Sequence, residues 1–457
     1  MKSTARLRNY LIILLDTAVI LLCFYIVLMF GRDDAFRVLL SLRKILLVVL
    51  ASTVIIFHFT DMYGDMFKKY AEIIFNCALA GVTGIVLFYL FVQLRVWPIG
   101  KVRISYMLVM LLMVGFLSAE RILVEIIYRS IMKVKKITIV GDIDQALRTG
   151  YEFIKNKEKT HTIQSVINVS NGLDNFRGCL GKVDIVIVCP GIDKAVKDTI
   201  VELCGRWDVD VLLIPEIYEI NTMRPRLTQI DDTPYLYFDS KGLSGEEKFF
   251  KRFFDLLISI ILAIVTMPII LICSIVIKLE SKGPVFFIQE RVSRDGIFRI
   301  IKLRTMITDA EKETGAVLSG ANDKRITKFG MLLRKTRLDE VPQLYNVIKG
   351  DMSLIGPRPE RPVFIEEFSK QYPDYNKRHT VKTGISGLAQ IMGKYTTHAA
   401  DKLRYDLIYI RNYSLMLDIK IFFMTMKTVF LEPGSVYEEG KIDYISEMKK
   451  YDIEILS

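Results

Sequence analysis

Residues 253–277 read FFDLLISIILAIVTMPIILICSIVI, an apolar run in which Asp255 is the single charged side chain. About 20 helical residues cross a bilayer core, so the run is long enough for a span. Pro268 stands near its centre, and proline removes an N–H and crowds the preceding turn. Two readings follow. The helix either crosses with a kink, or breaks at Met267-Pro268, enters one leaflet and returns. A full crossing would place everything after it on the opposite side from residues 130–245. Periodicity leaves both readings open.

Working outward, the chain has to be divided between lipid and water. Of 457 residues, 51% are hydrophobic and 25% charged. That is too apolar for an ordinary soluble enzyme and too charged for membrane spans alone. Disorder is excluded by the apolar material available to bury. Four further apolar stretches fill the first quarter: Tyr10–Phe30, Ile45–Phe59, Ala71–Leu94 and Ile104–Tyr128. Each is read as a membrane helix, because backbone groups in lipid must be satisfied internally. The second is short and must recruit Val38 to Leu42 past Arg43 and Lys44. Basic residues at Lys2, Arg6 and Arg8, at Lys68 and Lys69, and at Arg129, Lys133, Lys135 and Lys136 favour an inside N-terminus and an inside exit. Arg95, Lys101 and Arg103 oppose it. The first apolar run exceeds a signal h-region and shows no small-residue cleavage site, so it is expected to be retained.

Between residues 136 and 240 the pattern changes. Ile137–Val140, Ile163–Val169, Asp184–Cys189 and Val209–Ile214 are short β-branched runs, separated by helical segments such as Ile143–Lys155 and Asp193–Trp207. That alternation predicts a Rossmann-like parallel α/β domain. Its first strand is followed by Val140-Gly141-Asp142-Ile143-Asp144, with one glycine and two acids where a pyrophosphate would lie. The dinucleotide fingerprint is missing, which disfavours bound NAD. The six cysteines show no C-x-x-C spacing, and reduced thiols are expected rather than disulfides or zinc.

The dense chemical signals come after residue 281. The net charge of +11 admits nucleic acid, anionic headgroups or phosphate-bearing substrates as partners. From Lys324 to Arg337 there are six basic residues and no acid, followed at once by Asp339 and Glu340. A basic run is usually a solvated face, and an Asp-Glu pair on a helix is usually inert. Together with Lys302-Leu303-Arg304-Thr305-Met306, Gly350-Asp351-Met352-Ser353 and Gly356-Pro357-Arg358-Pro359, they supply what phosphoryl transfer needs. Those needs are fixed cations, a carboxylate to attack or hold metal, and stiff backbone. Thr336-x-x-Asp339 resembles a capping box, and Pro342 suits a first helical turn. Both cues put the acids near a helix N-terminus, where the dipole would lower carboxylate pKa and keep a nucleophile ionised. The basic residues lack interleaved aromatics, so nucleic acid is not expected as a partner.

From Lys251 to Phe430 the chain resembles the bacterial sugar transferases, the polyprenyl-phosphate glycosyl-1-phosphate transferases. The stretches that carry it are Lys251 to Asp255, Gly283 to Phe287, Lys302 to Met306, Leu338 to Gln343, Gly350 to Ser353, Gly356 to Pro359, Gly384 to Gln390 and Asp401 to Tyr409. Four spans and a Rossmann-like domain in front match the large branch that primes exopolysaccharide and O-antigen synthesis. Ser293 stands where glycine is common in that family, Thr383 replaces the usual proline, and Leu303 replaces an aromatic.

The resemblance implies a fold and a reaction. The fold would be a membrane protein of α plus α/β class, with four transmembrane helices over 1–131 and the Rossmann-like domain over 136–240. A re-entrant helix broken at the proline (246–280), a small α/β catalytic domain at the membrane interface (281–435) and a C-terminal tail (436–457) would follow. The protein would lie in the bacterial inner membrane with the catalytic domain facing the cytoplasm. A UDP-sugar, galactose and glucose fitting the branch, would give its sugar-1-phosphate to undecaprenyl phosphate and release UMP, with Mg²⁺ as cofactor. Asp339 would be the nucleophile and Glu340 its metal or acid–base partner, both within reach of the metal. Arg334 and Arg358 match phosphate- or nucleotide-binding positions, with Lys302, Arg304, Arg337 and Gln343 as further phosphate contacts. A homodimer is compatible with the branch. The alternatives are a glycosyltransferase that releases UDP, and a catalytically silent membrane nucleotide sensor. Residues 414–430 are apolar enough for a helix lying on the membrane, or equally for a core helix.

Overall fold

The computed structural model describes residues 2–30, 35–64, 68–93, 102–131, 134–155, 161–169, 172–238, 242–308, 323, 325–393, 398–431, 444–451 and 453–456. Arg95, Lys101, Lys133 and Lys324 lie outside them, as does the start of the expected tail. The chain forms two units, 1–133 and 134–457.

The first unit is four helices: α1 (Lys2–Phe30), α2 (Ala35–Phe59), α3 (Tyr70–Gln93) and α4 (Val102–Ile131). α2 runs unbroken through Arg43 and Lys44, as the short second stretch required. Segments of α1, α3 and α4 are each long and apolar enough to cross a membrane. Inside the bundle, Arg121 Nε donates to Asp16 Oδ1 at 2.9 Å, and the Tyr63 hydroxyl donates to Asp16 Oδ2 at 3.0 Å. Buried charges in an apolar bundle are tolerated when paired in this way.

The second unit opens with a parallel sheet. Its strands are β1 (Lys135–Gly141), β2 (His161–Asn168), β3 (Ile185–Val188) and β4 (Asp210–Leu213), with α5 (Ile143–Lys155), α6 (Asp174–Cys179) and α7 (Lys194–Arg206) between them. Alternate residues bury on opposite faces, which a strand period of two dictates. Ile137, Ile139, Ile185 and Ile187 join one core with Ala146 and Leu147 of α5. Val140, Val186 and Val188 join the other with Phe176 and Ile200. After α8 (Ile217–Asn221) comes an antiparallel hairpin, β5 (Arg226–Ile230) and β6 (Thr233–Tyr237).

α9 (Gly245–Glu280) begins with a capping box in which Ser244 and Glu247 satisfy each other's backbone N–H. It remains helical through Pro268 for its full 36 residues. The expected break at Met267-Pro268 is therefore not a non-helical gap, and a return to the same face requires a bend within α9. Proline forfeits one hydrogen bond, but the turns on either side keep theirs, and Thr266 Oγ1 still bonds to the Leu262 carbonyl at 2.7 Å.

The remaining elements are the hairpin β7 (Phe286–Ser293) and β8 (Gly296–Leu303), α10 (Lys328–Thr336), α11 (Gln343–Lys349), β9 (Ser353–Ile355), α12 (Pro362–Gln371), β10 (Gly384–Ser386), α13 (Leu388–Met392), α14 (Ala399–Arg411), α15 (Leu415–Leu431), α16 (Tyr444–Lys449) and β11 (Glu454–Leu456). β9 and β10 pair in parallel. α15 buries Asp418 and Ile421 but exposes Met416 and Phe430, so it is a core helix on one face. The last element changes the domain plan. β11 pairs in parallel with β2, giving the sheet order β11-β2-β1-β3-β4, and Met448 of α16 is buried against Gly150 of α5. The end of the chain is thus built into the middle domain rather than trailing behind the catalytic one.

Two departures from the family pattern meet in space. Ser293 Oγ accepts from the Thr383 N–H at 3.2 Å and from the Thr383 hydroxyl at 3.0 Å, and both residues are buried. Proline at 383 would have no N–H to give. Thr383→Pro alone should leave the buried serine unsatisfied and lower stability by about 1–3 kcal/mol. Ser293→Gly with Thr383→Pro should recover most of that loss. Equal melting shifts for the single and double variants would disprove the coupling.

Candidate active site

β8 delivers Lys302, the turn after β9 delivers Arg358, and the segment between α10 and α11 delivers the two acids. α10 ends with Arg337 in the left-handed region at φ 59°. Leu338–Glu340 then forms a short 3-10 turn before Pro342 and α11. The Thr336 hydroxyl donates back to the Leu332 carbonyl at 2.9 Å, so the capping-box reading fails. Gly330 allows α10 to pack on the segment after β8, since a Cβ there would lie 2.1 Å from the Thr305 carbonyl oxygen.

The acids are electrostatically unequal. Glu340 Oε1 accepts from Lys302 Nζ and from Arg358 Nη2, each at 2.7 Å, and Arg337 Nη1 is 4.0 Å from Oε2. Although burial pushes Glu340 upward, the combined cations hold it well below the usual carboxylate range. Burial pushes Lys302 down. Asp339 is 9% exposed and makes no hydrogen bond or ion pair among the described residues. Burial, and then the charge of Glu340, push it up to about 6. The expectation that a helix terminus depresses the nucleophile is corrected, because the acids lie in a turn between two helices and desolvation dominates. A more basic carboxylate is also the better nucleophile, provided it is ionised at working pH.

Other predicted residues are distributed unevenly. Arg334 Nε donates to Thr305 Oγ1 at 2.8 Å, and its charge reaches Asp339. Gln343 opens α11 one turn beyond Asp339, buried, with Nε2 unpartnered among the described residues. Arg304 is elsewhere. Its two Nη atoms donate to the Ser281 and Lys282 carbonyls at 2.8 and 2.9 Å, closing the end of α9. β8 stops at Leu303, so Arg304 loses the face that Lys302 occupies. Sequence reasoning gave no role to Asn346, which clamps α11 to β8 through Ile301 N at 3.2 Å and the Arg299 carbonyl at 2.8 Å. No motif marks such a residue. Among the described residues no group of three His, Cys, Asp or Glu could hold a metal. Two carboxylates alone suit Mg²⁺, which completes its shell with water and substrate phosphates.

Residues 246–432 match the family described as bacterial sugar transferase. Over 185 residues the chain is 40% identical to an uncharacterized sugar transferase of Bacillus subtilis (strain 168), covering 89% of that protein. The chain belongs to the bacterial sugar transferase family. It is also 40% identical over 246 residues to the UDP-N-acetylgalactosamine-undecaprenyl-phosphate N-acetylgalactosaminephosphotransferase of Aeromonas hydrophila, a match spanning 51% of this chain and 58% of that protein. The UDP-glucose:undecaprenyl-phosphate glucose-1-phosphate transferase of Klebsiella pneumoniae is 37% identical over 249 residues, 53% of each chain. The chain therefore spans little more than half the length of these two relatives.

The position of Asp339 has two measurable consequences. Family activity that depends on ionised Asp339 should fall along an acid limb with an apparent pKa near 6; a rate unchanged down to pH 4.5 would contradict it. Because the folded pKa lies above the unfolded one, the stabilising effect is present at low pH and lost as pH rises through about 6. Asp339→Asn should therefore melt higher than wild type at pH 8, with the difference shrinking toward pH 4.

Proposed function

We propose that this protein transfers a sugar-1-phosphate from a UDP-sugar to undecaprenyl phosphate. The observation that carries the reading is the asymmetric acid pair: an Asp339 without an ion pair among the described residues, pushed up to about 6 by burial, beside a Glu340 already neutralised by Lys302 and Arg358. The names of the relatives from Aeromonas and Klebsiella support the same chemistry. An Asp339 oxygen attacks the sugar-bearing phosphorus, the bond to the bridging oxygen breaks, and UMP leaves with that oxygen. The acceptor's phosphate oxygen then attacks the same phosphorus and frees the carboxylate. One diphosphate linkage replaces another, so no further energy source is required. Lys302, Arg334 and Arg358 offset the charge that would otherwise repel an anionic nucleophile. Asp339 and Glu340 would hold Mg²⁺, whose charge would offset that of the diphosphate.

Supporting the cytoplasmic, re-entrant arrangement is the way α9 meets the catalytic domain at both ends. Lys251 near its start bonds to the Ile355 carbonyl, while Cys273 and Ile277 pack with Leu303 and Leu333, and Glu280 Oε1 accepts from the Phe329 N–H at 3.0 Å. Between them Ile260, Ile261, Ile264, Val265, Met267 and Leu271 point outward. A straight crossing would put those ends on opposite sides of the bilayer.

With a panel of UDP-sugars, undecaprenyl phosphate and Mg²⁺, UMP should be released. Release of UDP would overturn the proposal in favour of transfer of the bare sugar. Asp339→Asn should abolish turnover, and Glu340→Gln should reduce kcat by roughly 10²–10³-fold. Donor and Mg²⁺ without lipid should leave a phosphosugar adduct on the wild type, detectable by intact mass. A tag after residue 457 should be reachable from the cytoplasmic face alone, and external labelling would sink the re-entrant topology.

A further inference from the structure

Arg358 is mounted on a turn whose carbonyls are all held from outside. The Pro357 oxygen accepts from Gly384 N at 2.9 Å, the Pro359 oxygen from Arg291 Nη1 at 3.2 Å and the Glu360 oxygen from Val292 N at 3.0 Å. The oxygen of Arg358 itself accepts from Arg378 Nη2 at 2.9 Å. Of these four donors, Arg378 is the one with a buried counter-ion. It is 3% exposed, lies 2.7 Å from Asp406, which is 1% exposed, and donates to the Tyr375 hydroxyl at 2.6 Å. A guanidinium so enclosed is out of reach of a phosphate. Its remaining function is to fix the backbone from which Arg358 reaches Glu340.

We propose that Arg378, seated by Asp406, is a positioning residue for the transfer reaction, acting through the Arg358 carbonyl to set the Arg358 guanidinium on Glu340. This rests on the function proposed above for that site. The pair is anchored beyond the site as well. Asp406 lies on α14 between Leu403 and Leu407, which pack with Ile220 of α8 and with Tyr375. The mount is therefore tied to the middle domain, and small displacements of a positioned group can cost about 10²-fold in rate.

Removing Arg378 alone would strand a buried carboxylate, so the test uses two variants in the full-length protein. Arg378→Lys keeps the charge and loses the fork. Arg378→Met with Asp406→Leu removes both charges, a replacement that buried pairs often tolerate. Both should raise amide exchange at Gly356, Arg358, Glu360 and Arg361 while leaving exchange in α7 and β1 unchanged. Both should also lower kcat by about tenfold or more with donor KM within about threefold. Combined with Arg358→Ala, neither should cost anything further, because the residue through which Arg378 acts is gone. Unchanged exchange in the turn, or the same fold-loss in the Arg358→Ala background, would overturn the proposal. A wild type that transfers nothing would count against the proposed reaction, and the exchange measurement would still decide whether Arg378 holds the turn.

Discussion

The catalytic unit depends on how the first turns of α9 are held. Lys251, 5% exposed, donates from Nζ to Asp418 Oδ2 at 2.7 Å, to the Ile355 carbonyl at 2.9 Å and to the Tyr409 hydroxyl at 3.1 Å. One turn on, Asp255 accepts from the Ser353 hydroxyl at 2.8 Å and from Leu354 N at 3.0 Å. Arg252 binds the Val347 and Ile348 carbonyls at the end of α11. Three charged residues of one apolar helix thus grip β9, α11 and α15 together. Losing one partner of such a buried pair costs about 3–5 kcal/mol, because the other charge is left uncompensated. The same grip sets where β9 ends, and the Arg358 turn starts there.

Close backbone contact carries the arrangement from β9 to the acids. A Cβ at Gly384 would lie 2.1 Å from Gly356 N, and one at Gly387 would lie 2.1 Å from the Gly356 oxygen. Two glycine-bearing segments, distant in sequence, therefore lie against each other with no side chain between them. Their spacing fixes the turn, the turn fixes Arg358, and Arg358 with Lys302 neutralises Glu340. Asp339 is left as the one acid of the pair with its charge unmatched. A single pair of adjacent carboxylates becomes two chemically different groups because Lys302 and Arg358 pair directly with Glu340, whereas at Asp339 burial outweighs the charge of the same cations.

Much of this was legible in the sequence, for identifiable reasons. α5 was read as Ile143–Lys155, its observed bounds, because its polar and apolar faces are sharply divided. The strands were found from their β-branched runs, and the cluster of Lys302, Arg358, Asp339 and Glu340 from motifs that resemble the family's. The misreadings are equally physical. Arg304 and Lys302 share strand spacing, but the strand ends between them. At Pro268 the residues alone leave a kink and a break both open, and the helix continues because it can lose one hydrogen bond without a gap. β11 was invisible because a three-residue edge strand has no periodicity of its own. Arg378 carries no local sign of its role, since both of its important partners are distant or belong to the backbone.

The position of β11 makes the middle domain more than a linker. Its sheet is closed by a strand delivered after the whole catalytic domain has been traversed, so the catalytic domain is inserted between β4 and β11 of its neighbour. An insertion held at both ends has less freedom than a domain on one tether. The contacts follow that constraint: Arg148 of α5 pairs with Asp401 at 3.0 Å, and Arg404 donates to the Pro215 carbonyl at 2.9 Å. These residues of α14 lie within the five positions before Asp406, the counter-ion of Arg378. The sheet domain thus presents a seat for α14, the helix behind the Arg358 turn.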